Sequence, residues 1–263
     1  MKRLFFGNTT RIGKFLWTPA NVPTVFWLDA TQSSTITIST GVSQWADKKG
    51  GGINAIQSNS SAQPSYSSTL FPGNFPGVLF DGVDDYLAIS TTAMRNLTHG
   101  VYWVCARRGP GTGDAYRPDI GIQGSGDRGA LHYIKNSNNL GASYPYYNDT
   151  GFYDLTSGTA YVTNVAQIMA FQGNVTGWGV WRNGTIEGTT SSFNAPGVNN
   201  TGYTLSRQLA PNRISNLVFG EVIMIQITDT TIRQKVEGYL AWKWGLVASL
   251  PVTHPYKNAP PYL

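Results

Sequence analysis

Hydrophobic residues alternate along most of this chain, and one stretch changes period in mid-course. In Leu217–Ile227 (LVFGEVIMIQI), strict alternation puts Val218, Gly220, Val222, Met224 and Gln226 on one face. Leu217, Phe219, Glu221, Ile223, Ile225 and Ile227 fall on the other, so Val222–Ile227 is apolar on both faces and reads as a buried strand. At Thr228 or Asp229, both good N-cap types, the period becomes helical. Ile232, Val236, Tyr239, Leu240, Lys243 and Leu246 recur on one stripe, Arg233, Lys235 and Glu237 lie off it, and Gly245 and Pro251 close the helix.

Upstream the pattern is that of strands. Residues 24–30, 35–39, 42–45, 78–80, 100–107 and 161–173 carry it, with turns at Asp81-Gly82 and Asn183-Gly184, pairs that supply the positive φ a tight hairpin needs. Residues 109–116 (GPGTGDAY) and most of 192–215 read as loop on their Gly, Pro and Asn content. The prediction is a two-sheet antiparallel jelly-roll sandwich with one C-terminal α-helix. It divides the chain into an N-terminal arm, 1–20, and a single domain, 21–263.

Composition agrees with many short strands joined by turns. The 263 residues include 30 Gly and 14 Pro, and only 13% are charged. The net charge of +5 is concentrated at the start. Lys2, Arg3, Arg11 and Lys14 stand there without an acid, interleaved with Phe5 and Phe6, which reads as an attachment arm for an acidic partner surface. The near-neutral remainder has no basic stripe, so nucleic acid is not expected as a partner. Cys105 is the only cysteine and sits in an apolar strand, which excludes an intrachain disulfide and suits folding in a reducing cytoplasm. No apolar run is long enough to span a membrane, and the segment after MKRLFF is too polar for a signal peptide.

Three segments carry a resemblance. The opening FWLDATQSSTITIS…VSQWADKKGGGINAIQ, the strand–turn–strand VLFDGVDDYLAI and the closing GEVIMIQ…EGYLAWKWGL…LPVTHPYKNAPP resemble concanavalin A-like, laminin-G-like jelly-roll domains. Domains of this type are found in tailed-phage structural proteins and in similar bacterial surface proteins. The resemblance covers about residues 17–261 and is weakest over 107–160, where individual specificity is expected. It implies a non-enzymatic virion component, a head decoration or tail protein assembled in the host cytoplasm. Such a component would hold other virion proteins through lattice or homo-oligomeric contacts, and would bind host-surface glycan. The alternative is a carbohydrate-binding adhesion module of a bacterial surface protein; a glycoside hydrolase is the third reading.

Candidate chemistry is sparse. The fold family includes glycosidases with a strand motif resembling Glu-x-Asp-x-x-Glu, and retaining enzymes need paired carboxyls. The nearest match starts at Glu221, where Ile223 and Ile225 occupy the acidic positions, so no catalytic residue is assigned. Asp81, Asp84 and Asp85 form the densest acidic group, with two readings: a rim calcium site, or turn chemistry around Asp81-Gly82. No other cofactor is expected. Tyr144, Tyr146, Tyr147 and Tyr153, with Trp178 and Trp181, are the candidate stacking surface for a glycan or protein partner, against the alternative that they fill the core. His99, His132 and His254 lack metal-ligand spacing.

Overall fold

The computed structural model describes residues 15–93, 98–112, 116–124, 130–135, 139–145, 152–160, 162–174, 176–190, 200–208 and 213–263. The strands begin with β1 (Thr24–Asp29), β2 (Ile36–Ile38), β3 (Val42–Trp45), β4 (Ala55–Ile56), β5 (Ser65–Phe71) and β6 (Phe75–Asp81). Next come β7 (Leu87–Ser90), β8 (His99–Thr112), β9 (Tyr116–Gly124), β10 (Ala130–Lys135), β11 (Asn139–Pro145) and β12 (Phe152–Ala160). The last are β13 (Gln167–Asn174), β14 (Gly177–Arg182), β15 (Thr185–Thr190), β16 (Asn200–Leu205), β17 (Arg207–Gln208) and β18 (Arg213–Ile225), followed by the helix α1 (Thr230–Lys243). They form two antiparallel sheets. One is ordered β15-β14-β13-β8-β18-β6-β5 with β1 and β17 also on β18; the other is ordered β12-β11-β10-β9-β16-β7-β4-β3-β2.

Alternation fills the space between the sheets. Trp45, Phe80, Trp103, Phe171, Tyr203 and Phe219 meet there, all at 0% exposure, and each such side chain contributes about 1.5–3 kcal/mol. A second apolar layer forms on the other face of the β18 sheet. There Trp27, Tyr102, Val104, Ile168, Ile223 and Ile225 receive Val236, Leu240 and Trp244 from the helix side. The order is therefore sheet, sheet, helix. The Asp229 carboxylate caps α1 by accepting from Ile232 N at 2.7 Å, worth about 1 kcal/mol, and Gly245 at φ +71° ends it. Among the described residues no helix is long and apolar enough to cross a membrane.

β18 is the central strand, and its faces differ from strict alternation. Its register with β8 slips between Phe219 and Glu221, leaving Gly220 as the extra residue of a β-bulge. Leu217 and Phe219 before the bulge share the inter-sheet core with Val222 and Met224 after it. Val218, Ile223 and Ile225 face the helix. The bulge thus turns Glu221 beneath α1. A Cβ at Gly220 would lie 2.6 Å from the Trp244 ring, so glycine lets that indole close over the bulge.

Three expectations need correction. Residues 109–112 extend β8 rather than forming a loop, because a bare Gly111 lets β18 pass so close that a Cβ would meet Ile214 O at 1.7 Å. Likewise 200–208 and 213–215 are largely strand. Arg233 and Glu237, placed off the buried stripe, are 7% and 0% exposed. They are buried as a pair: Arg233 Nη1 donates to both Glu237 oxygens at 2.8 and 2.9 Å, and its guanidinium covers Trp181.

Residues 15–17 meet residues 261–263. Trp17 N donates to Pro261 O, Leu263 N donates to Phe15 O, and Trp17 packs edge-on against Tyr239 at 3% exposure. Residues 15–20 therefore belong to the folded body. The arm residues Lys2, Arg3, Phe5, Phe6, Arg11 and Lys14 lie outside the described residues.

Candidate functional site

Two acidic groups stand out, one beneath the helix and one on the rim. The first is built by the pairing of β1 with β18, which sets Asp29 directly opposite Glu221. The Lys243 ammonium, arriving from the last turn of α1, lies 2.6 Å from Asp29 Oδ2 and 2.8 Å from Glu221 Oε2. Lys48, cationic over the Trp27 ring, adds a second donor to Asp29 Oδ2 at 2.8 Å. Asp29 Oδ1 accepts from Thr31 N at 3.0 Å and Thr31 Oγ1 at 2.6 Å. Glu221 is equally engaged. Its Oε1 accepts from Trp27 Nε1 at 2.5 Å and Tyr239 OH at 2.9 Å, and its Oε2 also accepts from Trp244 Nε1 at 2.7 Å.

Both carboxylates are at 0% exposure with two donors on each oxygen. Burial alone would raise the Asp29 carboxyl, but the Lys243 and Lys48 charges outweigh it and hold it at about 2. Burial prevails at Glu221, which is raised against the pull of Lys243, with the Asp29 charge adding to the rise. The sequence showed Glu221 as an isolated acid in an apolar strand. Its partners were hidden by distance, since Lys243 and Asp29 are 214 positions apart.

The rim group lies where β6 ends. Asp81 Oδ1 accepts from Val83 N at 2.7 Å and from Asp84 N, and Gly82 takes φ +82°. Asp85 Oδ2 accepts from Asp81 N at 3.0 Å. One oxygen from each aspartate lies within 4.8 Å of the others. Asp81 and Asp84 are exposed while Asp85 is buried, and burial with the charges of Asp81 and Asp84 raises Asp85 to about 6. Three carboxylates fall short of the six to eight oxygens calcium takes, and two of them already serve the turn. The geometry fits turn chemistry. Beside it Tyr86 carries the Arg207 guanidinium over its ring at 4.3 Å, so acidic, aromatic and basic groups converge at this end of the sandwich.

The aromatic surface expected from sequence is not one surface. Trp178 is a core residue at 3% exposure, packed on Phe171, because the β13–β14 register turns it between the sheets. Trp181 faces the helix layer beneath Arg233. Tyr144 pairs with Tyr153 in the register of β11 with β12. Tyr146 and Tyr147 lie outside the described residues.

Known structures share this architecture. A Trypanosoma rangeli sialidase in complex with sialic acid matches at a TM-score of 0.59 and 9% identity, over 85% of this chain and 33% of that one. The likeness is one of fold. Domain 4 of a GH43 extracellular arabinanase from Geobacillus stearothermophilus, in complex with arabinotriose, matches at a TM-score of 0.54 and 12% identity, over 80% of this chain and 96% of the domain. The binding domain of Paraclostridial mosquitocidal protein 1 matches at a TM-score of 0.54 and 9% identity, over 86% and 52%. This chain spans about a third of the sialidase chains it matches. No family model matches the sequence, and a search of curated proteins finds no relative.

Proposed function

We propose that this chain is a non-catalytic attachment module, a sandwich that recognises a surface glycan at its rim and is held by its basic arm in a tailed-phage particle. The observation that carries the non-catalytic reading is the state of Asp29 and Glu221. They are buried paired carboxylates bridged by one ammonium, and every oxygen is taken by a donor of the protein itself. A glycosidic oxygen has no approach to groups at 0% exposure.

Glycan recognition is supported by the company the fold keeps, above all a sandwich domain of nearly the same extent bound to arabinotriose. The rim offers matching chemistry. Asp81 and Asp84 accept from sugar hydroxyls, Arg207 donates to them, and Tyr86 supplies an apolar face. Phage context rests on the resemblance in residues 217–258, and other virion proteins are then the partners of the arm. The alternative, an adhesion module of a bacterial surface protein, has the same rim and a different address; the extracellular arabinanase domain favours it.

Two measurements test this. The purified chain is screened on a glycan array, with reducing-end release assayed on every ligand. Binding without turnover is expected, and the double variant Asp84→Ala/Tyr86→Ala weakens it at least about tenfold, equivalent to about 1.4 kcal/mol. Turnover by the parent chain overturns the non-catalytic reading; its loss in Glu221→Gln or Asp29→Asn would place it at those carboxylates, and its survival would place it elsewhere. Mass spectrometry of purified particles decides the address: copies on the scale of the capsid lattice mean head decoration, a few mean tail, and none transfers the module to the bacterial surface.

A further inference from the structure

The knot beneath the helix contains more than a salt bridge needs. Lys243 Nζ, 10% exposed in its side chain, lies 2.6 Å from the buried Asp29 carboxylate, beside a Glu221 carboxylate held by Trp27, Tyr239 and Trp244. A second acid, Glu221, touches the same nitrogen at 2.8 Å. Thr31 N and Oγ1 both point at Asp29 Oδ1, while Lys48 Nζ stands at Oδ2, the oxygen on the side of Lys243. A nucleophile, an electrophile, a proton acceptor and two donors for a developing oxyanion are thus held together around two carboxylates at 0% exposure.

We propose that Lys243 and Asp29 condense to an intramolecular isopeptide bond, which joins the first strand of the sandwich covalently to its C-terminal helix. One of the three protons of the Lys243 ammonium passes along the 2.6 Å contact to Asp29 Oδ2, so that a neutral amine faces a neutral carboxyl. Nζ attacks Asp29 Cγ as Glu221 takes a second proton, the C–N bond forms, and the charge moves to Oδ1 against the Thr31 donors. The C–Oδ2 bond then breaks. Oδ2 departs as water with the proton it already holds and the one Glu221 delivers, and the third proton stays on the amide nitrogen. Ammonium and carboxylate become amide and water with no change of net charge, so no oxidant or co-reactant enters. The raised Glu221 carboxyl suits a group that must hold a proton in transit. The aromatic walls favour the neutral amide over the ion pair, because a buried charge pair carries a desolvation cost that an amide lacks.

This inference is independent of the proposed function, since it concerns residues closed to any ligand. The test is the intact mass of the purified full chain, denatured after incubation at neutral pH. The expected mass is that of the sequence less one water, with a digest yielding the peptide of Asp29 joined to the peptide of Lys243. On a denaturing gel the cross-linked chain, closed over 214 positions, runs ahead of the Lys243→Arg variant. Lys243→Arg and Glu221→Gln are expected at full mass, whereas Lys48→Met keeps the link because no proton of the balance passes through Lys48. The full sequence mass in a sample that melts cooperatively overturns the proposal. So does a water loss that persists in Lys243→Arg, which would be cyclisation at the aspartate, or a link that maps to Lys48.

Discussion

The two acidic groups of this protein start from similar residues and reach opposite states. Beneath the helix, Asp29 and Glu221 have two lysines, two indoles, a phenol and a threonine for partners, and both are sealed from water. At the rim, Asp81, Asp84 and Asp85 have backbone N–H groups and one another. The cation supply decides the outcome. A buried carboxylate beside two ammoniums is held at about 2, while a buried carboxylate beside two further carboxylates rises to about 6. Acidic residues close in space therefore say little about function until the charges around them are counted.

The sharpest way to break the comparison is to remove the acceptor at the centre of the knot. Glu221→Ala removes the acceptor of the Trp27 and Trp244 indoles and the Tyr239 hydroxyl, and leaves Lys243 with Asp29 as its one carboxylate. A loss of about 3–5 kcal/mol is expected in urea unfolding, the range for breaking a buried charged network from one side. A loss under about 1 kcal/mol would show that water reaches these donors. Next in size is Gly220→Val. Its side chain would enter the space of the Trp244 ring, and a cost of about 2–3 kcal/mol should appear in the same assay, accompanied by a change in tryptophan fluorescence.

These two positions also show what the sequence could reveal. Sheet-and-helix architecture was legible because alternation, Asn183-Gly184, Asp229 and Gly245 each act locally; Asn183 and Gly184 take φ +50° and +79°, as the hairpin requires. The bulge at Gly220 was not legible. One inserted residue is defined only against a partner strand, and with strict alternation Glu221 is grouped with Leu217 and Phe219 although they face different layers. The same limit hid the knot, whose parts come from β1, β18 and the two ends of the folded body. Trp178 stood between two readings, a stacking surface and the core. Its composition suits a stacking surface, and only the β13–β14 register puts it in the core. Gly111 read as loop because its role in close strand approach depends on a neighbour far along the chain.

The pH dependence of stability sharpens the contrast, because the two groups carry opposite signs. Asp29 has a folded-state value below its unfolded one. In chains where Lys243 and Asp29 remain an ion pair, it contributes stability above about pH 4 that is lost as pH falls towards 2, and the link abolishes this dependence. Asp85 has a folded-state value of about 6, above its unfolded one, so its contribution is present below about pH 4 and lost as pH rises through 6. Asp85→Asn keeps an oxygen for Asp81 N and removes the titrating charge. The variant should be more stable than the parent at pH 8 by about 1–2 kcal/mol and equal to it near pH 4. Urea unfolding across that range checks this, and a constant difference would place the effect in packing.

The smallest effect expected is at the exposed end of the rim. Asp84 is exposed and its carboxylate serves no turn, so Asp84→Ala should change stability by less than about 0.5 kcal/mol. That near-silence distinguishes a turn from a cation site. If the three carboxylates together held calcium, the ion would bind the folded state alone and raise its melting temperature in proportion to the logarithm of its concentration, and Asp84→Ala would abolish the rise. With Asp81 and Asp85 each giving an oxygen to the backbone, a melting temperature unmoved by millimolar calcium is expected for both parent and variant. A calcium-dependent rise in the parent that vanishes in the variant would instead turn the rim into the charged counterpart of the knot, with a divalent ion in the place of Lys243 and Lys48.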